Sequence, residues 1–201
     1  MARKRNVETE SRIAAAATEL FCSQGYVDTT MAAIAAAAGV SVQTLYLRHG
    51  SKAAILSAAL DVAIAGDAEP IAVTDREGFF ARVLAEGDAA AAIRIWAHGA
   101  RTICDRTRGL YDVIRSAAAD PEVAEVLAKS RHDRASGHLV LAESLRKKRG
   151  YAKRVPMERA ADLMYGLGTE DSYLIFVVDR GWSPDDWERW VVETICTHLT
   201  T

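Results

Sequence analysis

A chain of 201 residues that is 50% hydrophobic and 26% charged, with 13 Gly, 4 Pro and a net charge of -2, has a globular composition; collagenous, fibrous and disordered classes are excluded. Cys22, Cys104 and Cys196 are scattered and form no CxxC pair, so neither a disulfide framework nor a zinc ribbon is expected, and a reducing, cytoplasmic setting fits. No long apolar run follows the basic start MARKRNVETESR, and Leu174–Val178 is far shorter than the about 18–20 apolar residues of a membrane span, so no secretion signal and no membrane partner are expected.

The elements read almost entirely as helix. Ile13, Ala16, Ala17, Leu20 and Phe21 follow helical spacing within a first helix predicted over Val7–Ser23, stopped by Gly25. Thr30 caps a short alanine-rich helix, Met31–Ala38, which Gly39 ends. Ser41 caps Val42–His49, Gly50 breaks it, and Ser51 caps a fourth helix reaching Ala65. Residues 66–74, with Pro70, mark a domain junction. Helices then follow over 75–86, 88–105 and 108–119. Pro121 opens a long one to Arg149, Pro156 another to Asp179, and Pro184 the last, to Leu199. The expected fold is all-α with nine to ten helices in two domains, short helices joined by tight turns over 1–65 and longer helices over 66–201.

Met31 to Leu45 carries the functional signal. A helix-turn-helix needs a small residue where its helices cross, a glycine in the turn and apolar inner faces. Ala35, Gly39, and Ile34, Val40 and Leu45 supply them. The same pattern also fits an ordinary corner between two helices. Charge adds support: residues 1–52 hold six Lys/Arg against four Asp/Glu, leaving 19 against 23 for the remainder.

The run Thr44-Leu45-Tyr46-Leu47-Arg48-His49-Gly50-Ser51-Lys52-Ala53-Ala54-Ile55-Leu56 resembles the DNA-binding signature of TetR-type transcriptional regulators. The preceding Thr29-Thr30, Ala38-Gly39-Val40-Ser41 and the Leu20-Phe21 to Gly25-Tyr26 ending of the first helix resemble it too. The likeness covers about residues 10–60. It departs from the family pattern at His49 and Gly50, where relatives carry Phe and Pro, and at Leu47, where a second aromatic is usual.

The resemblance implies a homodimer that binds a double-stranded, pseudo-palindromic DNA operator and responds to a small-molecule effector, most simply as a repressor. Thr30, Ser41, Thr44, Tyr46 and Lys52 are the expected backbone contacts, since helix N-termini, hydroxyls and a point charge suit phosphate. Lys52 has the alternative of a solvated lysine. Val42, Gln43 and Leu47 face the bases, with Gln43 suited to adenine and the apolar two to thymine methyls, and Arg48 reaches either guanine or a phosphate. Arg3, Lys4 and Arg5 read either as a minor-groove arm or as a solubilising tail. Ala32, Ala33 and Ala36 give the second helix no polar readers. That feature motivates the other reading, a small-molecule-binding protein that has lost specific DNA binding.

In the second domain, Phe80, Leu84, Trp96, Ile103 and Tyr111 are the candidates for an effector site, with packing in the core as the simpler reading for each aromatic residue. Arg134, His138 and Glu170 join them either there or as a structural ion pair on an apolar stripe. Met164, Leu167, Asp171, Ile175, Trp187, Trp190 and Val191 form the expected dimer stripe on the last two long helices, with burial in the monomer's own core as the alternative. No catalytic motif, metal-ligand spacing or cofactor fingerprint is present, so neither an enzyme nor a metal or cofactor is expected.

Overall fold

The computed structural model describes residues 2–69 and 78–201, with side chains from residue 6 onward. Part of the expected junction, and the start of the helix expected at 75, lie outside the described residues. Among the described residues the secondary structure is helical, with only isolated bridges and no strand. The helices are α1 (Ala2–Asp28), α2 (Met31–Ala38), α3 (Val42–His49), α4 (Lys52–Ala65), α5 (Phe79–Ala85), α6 (Ala89–Ser116), α7 (Pro121–Leu145), α8 (Met157–Leu167), α9 (Glu170–Tyr173) and α10 (Pro184–Leu199). A π-helical stretch, Leu174–Asp179, continues from α9.

Two compact units result: residues 1–70 with 106–130, and residues 71–105 with 131–201. The first is built on α1, which packs against α2 and α4. Its stripe of Ile13, Ala16, Ala17 and Phe21 is buried with Ile34 and Ala35 of α2, Leu45 of α3 and Ile55, Leu56 and Leu60 of α4. Each large apolar side chain so buried contributes about 1.5–3 kcal/mol. Leu110, Val113, Ile114, Val123 and Val126 complete this core, drawing into the first unit residues that the division at 65 leaves in the second. Gly25, at φ 82°, interrupts α1 as expected, but helical turns resume to Asp28.

The second unit is centred on Trp96, Met164, Tyr173 and Trp187. Three expectations are corrected here. First, α6 runs unbroken through 105–108, a stretch with no Gly or Pro to break it. Second, the helix expected over 156–179 stops at Leu167. A Cβ on Gly168 would lie 2.4 Å from the Trp96 ring, so backbone and indole approach each other as only glycine allows. Third, α7 ends at Leu145 rather than Arg149. There the backbone leaves the helix: the Arg149 N–H donates to Gly87 O (3.0 Å) and the Ala89 N–H to Arg149 O (2.9 Å). Lys148 is buried and donates to Leu84 O (3.1 Å) and Glu86 O (2.6 Å), capping α5 rather than its own helix. Among the described residues, no single helix is long and apolar enough to cross a membrane.

Candidate nucleic-acid interface

The turn between α2 and α3 is closed by its own backbone. Gly39 sits at φ 65°, ψ 39°, a left-handed position that favours glycine. The Gly39 N–H donates to Ala36 O (3.2 Å) and the Val40 N–H to Ala35 O (3.0 Å). Ile34, Ala35, Ala38 and Leu45 are buried along the inner faces, so the corner is locked against α1 and α4. Three hydroxyls cap three helices in succession: Thr30 Oγ1 accepts from the Ala33 N–H (3.1 Å), Ser41 Oγ from Thr44 (3.1 Å) and Ser51 Oγ from Ala54 (3.2 Å). Each such cap contributes about 1 kcal/mol. Ser41 Oγ and Thr44 Oγ1 also share a 2.7 Å hydrogen bond, which orients both hydroxyls at the start of α3.

The outer face of α3 is free. Val42 and Gln43 are exposed, Tyr46 is 54% exposed and Leu47 82%. A surface of exposed apolar and aromatic side chains on a short, rigidly capped helix has the form of a groove-reading surface. The outer face of α2 offers exposed Ala32, Ala36 and Ala37.

Lys52 is engaged within the first unit. Its Nζ donates to three carbonyls at the end of α1, Tyr26 O (2.6 Å), Val27 O (3.3 Å) and Thr29 O (2.8 Å), and sits 4.2 Å from the Tyr26 ring centroid. With its three donors engaged, it ties the α1–α2 turn to α4 rather than standing as a free point charge. Burial, with Asp120 and Glu122 nearby, pushes the Tyr26 phenol up to about 12.

Arg48 is held as well. Its Nη1 donates to Asn6 Oδ1 (2.5 Å) and Glu10 Oε1 (2.5 Å). His49, in place of the family's aromatic, is mostly buried, with Nε2 3.1 Å from Glu10 Oε2. Asn6 and Glu10 were missed in the sequence reading. Their four-residue spacing on α1 puts them on one face, but nothing local links that face to residues 38 and more positions away.

In the second unit the structure brings together Trp96, Arg134, His138 and Glu170, with Tyr165 and Cys104. Arg134 Nη2 meets Glu170 at 2.6 Å, their side chains 13% and 4% exposed. The guanidinium lies 5.9 Å from the Tyr165 ring centroid, and the His138 ring stacks edge-on to Trp96 (5.9 Å) and Tyr165 (5.8 Å). The sequence left a structural ion pair and ligand contact open; the ion pair forms. Burial, helped by the Arg134 charge, holds His138 down to about 4, although its Nδ1 is bonded to Arg134 O (2.8 Å). Burial, and then the Glu170 charge, pushes the Cys104 thiol well up. Phe80 is a core residue, Ile103 is half-buried and Leu84 is exposed. Tyr111 is fully buried in the first unit and so does not belong to this cluster.

The expected dimer stripe splits in two. Met164, Trp187 and Val191 are fully buried within the unit, and the Trp187 indole N–H donates to Ser172 Oγ (3.1 Å). They have no surface left for a second copy, because the chain's own core takes up the stripe they occupy. Leu167, Asp171 and Trp190 are half-buried. Ile175 and Val178 are each 51% exposed beside a cluster of Phe176, Trp182 and Trp190, with Phe176 4.7 Å and 4.6 Å from the two indoles.

Buried inner faces, a left-handed glycine turn and a capped, outward-facing second helix define a helix-turn-helix DNA-binding module. Residues 13–59 match the family model for bacterial regulatory proteins of the tetR family. The fold of the chain is theirs as well. A protein from Syntrophomonas wolfei assigned to the TetR-family transcriptional regulators is 18% identical with a TM-score of 0.75, over 96% of this chain and 95% of that one. NalD, the secondary repressor of the MexAB-OprM multidrug efflux pump in Pseudomonas aeruginosa, is 17% identical with a TM-score of 0.69, over 96% of each chain. A transcriptional regulator from Saccharomonospora viridis in complex with choline is 15% identical with a TM-score of 0.69, over 96% of this chain and 98% of that one. No curated protein matches the chain.

Proposed function

We propose that the chain is a ligand-responsive transcriptional repressor, acting as a cytoplasmic homodimer on a pseudo-palindromic operator and released by a small molecule. The observation that carries this reading is the outer face of α3, where Val42, Gln43, Tyr46 and Leu47 stand in solvent on a helix locked from behind. In this reading residues 1–65 read DNA and 66–201 bind effector and partner. Gln43, Val42, Leu47 and Arg48 face bases, while Thr30, Ser41, Thr44 and Tyr46 position the backbone. Lys52 acts through the turn it ties.

A single α3 reads too few base pairs for specificity, so two copies about 34 Å apart are needed. Exposed Ile175 and Val178, with Trp190 and Leu167, form the proposed meeting face. Our reading puts the effector site at Trp96, Ile103, Arg134, His138 and Glu170, where buried polar groups lie beside aromatic rings. The repressor role of NalD and the choline complex support repression and effector binding by analogy. An effector acts only through different affinities for the DNA-competent and DNA-released arrangements.

Fluorescence anisotropy with duplexes from the DNA upstream of the coding region tests the reading. Saturable, sequence-dependent binding supports it. Equal weak binding to every duplex would favour the second reading, a helical ligand-binding protein without an operator, for which the exposed alanines of α2 are the supporting observation.

A further inference from the structure

Resting on the reading of α3 as the DNA-reading helix, we propose that Glu10 is a specificity-determining residue, which aims Arg48 and withholds its charge from the phosphates of unrelated DNA. Asn6 and Glu10 lie one turn apart on α1, and both accept from the same Nη1 of Arg48 at 2.5 Å. The second Glu10 oxygen lies 3.1 Å from His49 Nε2 without hydrogen-bond geometry, so Arg48 is the hydrogen-bonded partner of the carboxylate at the end of α3. Two acceptors on one nitrogen fix the plane of the guanidinium. Its other N–H donors remain available, in the fork geometry that matches guanine O6 and N7.

The pair also changes what Arg48 contributes electrostatically. Binding to arbitrary DNA is driven by cations that neutralise phosphates and release counterions. A guanidinium already neutralised by Glu10 brings no net charge to a phosphate. It favours binding only where a base edge meets its free donors. At 30% and 26% exposure the pair is partly solvated, so it holds the side chain in place without locking it away from a groove. Glu10 therefore acts through Arg48 as a positioning residue and lowers affinity for wrong sequences more than for the right one.

Glu10→Gln is the test, read by anisotropy on operator and unrelated duplexes across a salt series, with selection of bound oligonucleotides. The amide keeps the shape and removes the charge. Unrelated DNA is expected to bind up to about fivefold tighter, the equivalent of one exposed ion pair. The log–log salt slope steepens by about 0.9 per subunit, and preference at one base pair per half-site relaxes. Glu10→Gln combined with Arg48→Gln, which leaves no unpaired charge, is expected to return the slope to that of the wild type while the preference stays lost. It also answers the question if the single variant fails to fold. An unchanged slope and unchanged selection in Glu10→Gln, or a double variant that keeps the wild-type preference, overturns the proposal. Wild-type protein that binds no duplex overturns the DNA-reading function itself, a result distinct from either.

Discussion

Replacing Lys52 with Met separates two roles that a lysine in this motif can have. In the structure the ammonium donates to three carbonyls at the end of α1 and lies against the Tyr26 ring. Hydrogen bonds from a charged donor contribute about 1.5–3 kcal/mol, and a cation over an aromatic ring about 0.5–1 kcal/mol at an exposed site. Methionine keeps the apolar stem but leaves the carbonyls to water, which recovers part of the loss. The expected destabilisation is about 2 kcal/mol, a drop in melting temperature of about 4–8 °C for a chain of this size. A lysine contacting phosphate gives the opposite signature: unchanged stability and a salt slope of DNA binding lower by about 0.9 per subunit. Circular-dichroism melts and anisotropy over a salt series read both quantities from one preparation. A lower melting temperature with an unchanged slope is expected. An unchanged melting temperature with a lower slope would refute the tie and return Lys52 to the DNA backbone.

Gln43→Ala is expected to relax sequence preference at one position per half-site at a cost of about 1–3 kcal/mol, visible in oligonucleotide selection; a uniform loss across sequences would restrict Gln43 to the backbone. His138, held to about 4 against an ordinary 6.5, is protonated first in the unfolded chain as pH falls. Stability is therefore unaffected above pH 6.5 and declines between 6.5 and 4, by about 3 kcal/mol in all. His138→Gln is expected to flatten that stretch of the melting profile, and an unaltered profile would count against the burial of a neutral ring. Ile175→Glu with Val178→Glu, at positions half exposed to solvent, is expected to give folded monomers that have lost operator binding; intact dimers in analytical ultracentrifugation would move the interface elsewhere.

The parts of the molecule that were legible in the sequence are those fixed by near neighbours. A capping hydroxyl acts on an N–H three residues on, and Gly39 acts on the turn it occupies, so α2 and α3 were placed to the residue. The ends of α7 and α8 were not, because distant groups lie against both. Gly168, where α8 ends, lies so close to Trp96 that only glycine fits, and Arg149 pairs with residues 87 and 89 beyond the end of α7. An apolar stripe reports that a face is covered but not by what. Met164, Trp187 and Val191 carry the same signal whether the cover is the chain's own core or a second copy, and here it is the core.

The two arginine–glutamate pairs use the same chemistry in different surroundings, and the surroundings assign them different work. Arg48–Glu10 is partly solvated, and opening such a pair costs about 1 kcal/mol or less, so a base edge can compete for the guanidinium. Arg134–Glu170 is nearly enclosed, and removing one partner of such a pair costs about 3–5 kcal/mol because the other charge is stranded. An effector that parts Arg134 from Glu170 must therefore bring a counter-charge for each. A neutral effector avoids that cost by leaving the pair intact and bonding to uncharged His138 between Trp96 and Tyr165. In the proposed effector site, a ligand with one charge meets an arginine and a glutamate already paired with each other, and its binding has to overcome the burial of the surplus charge.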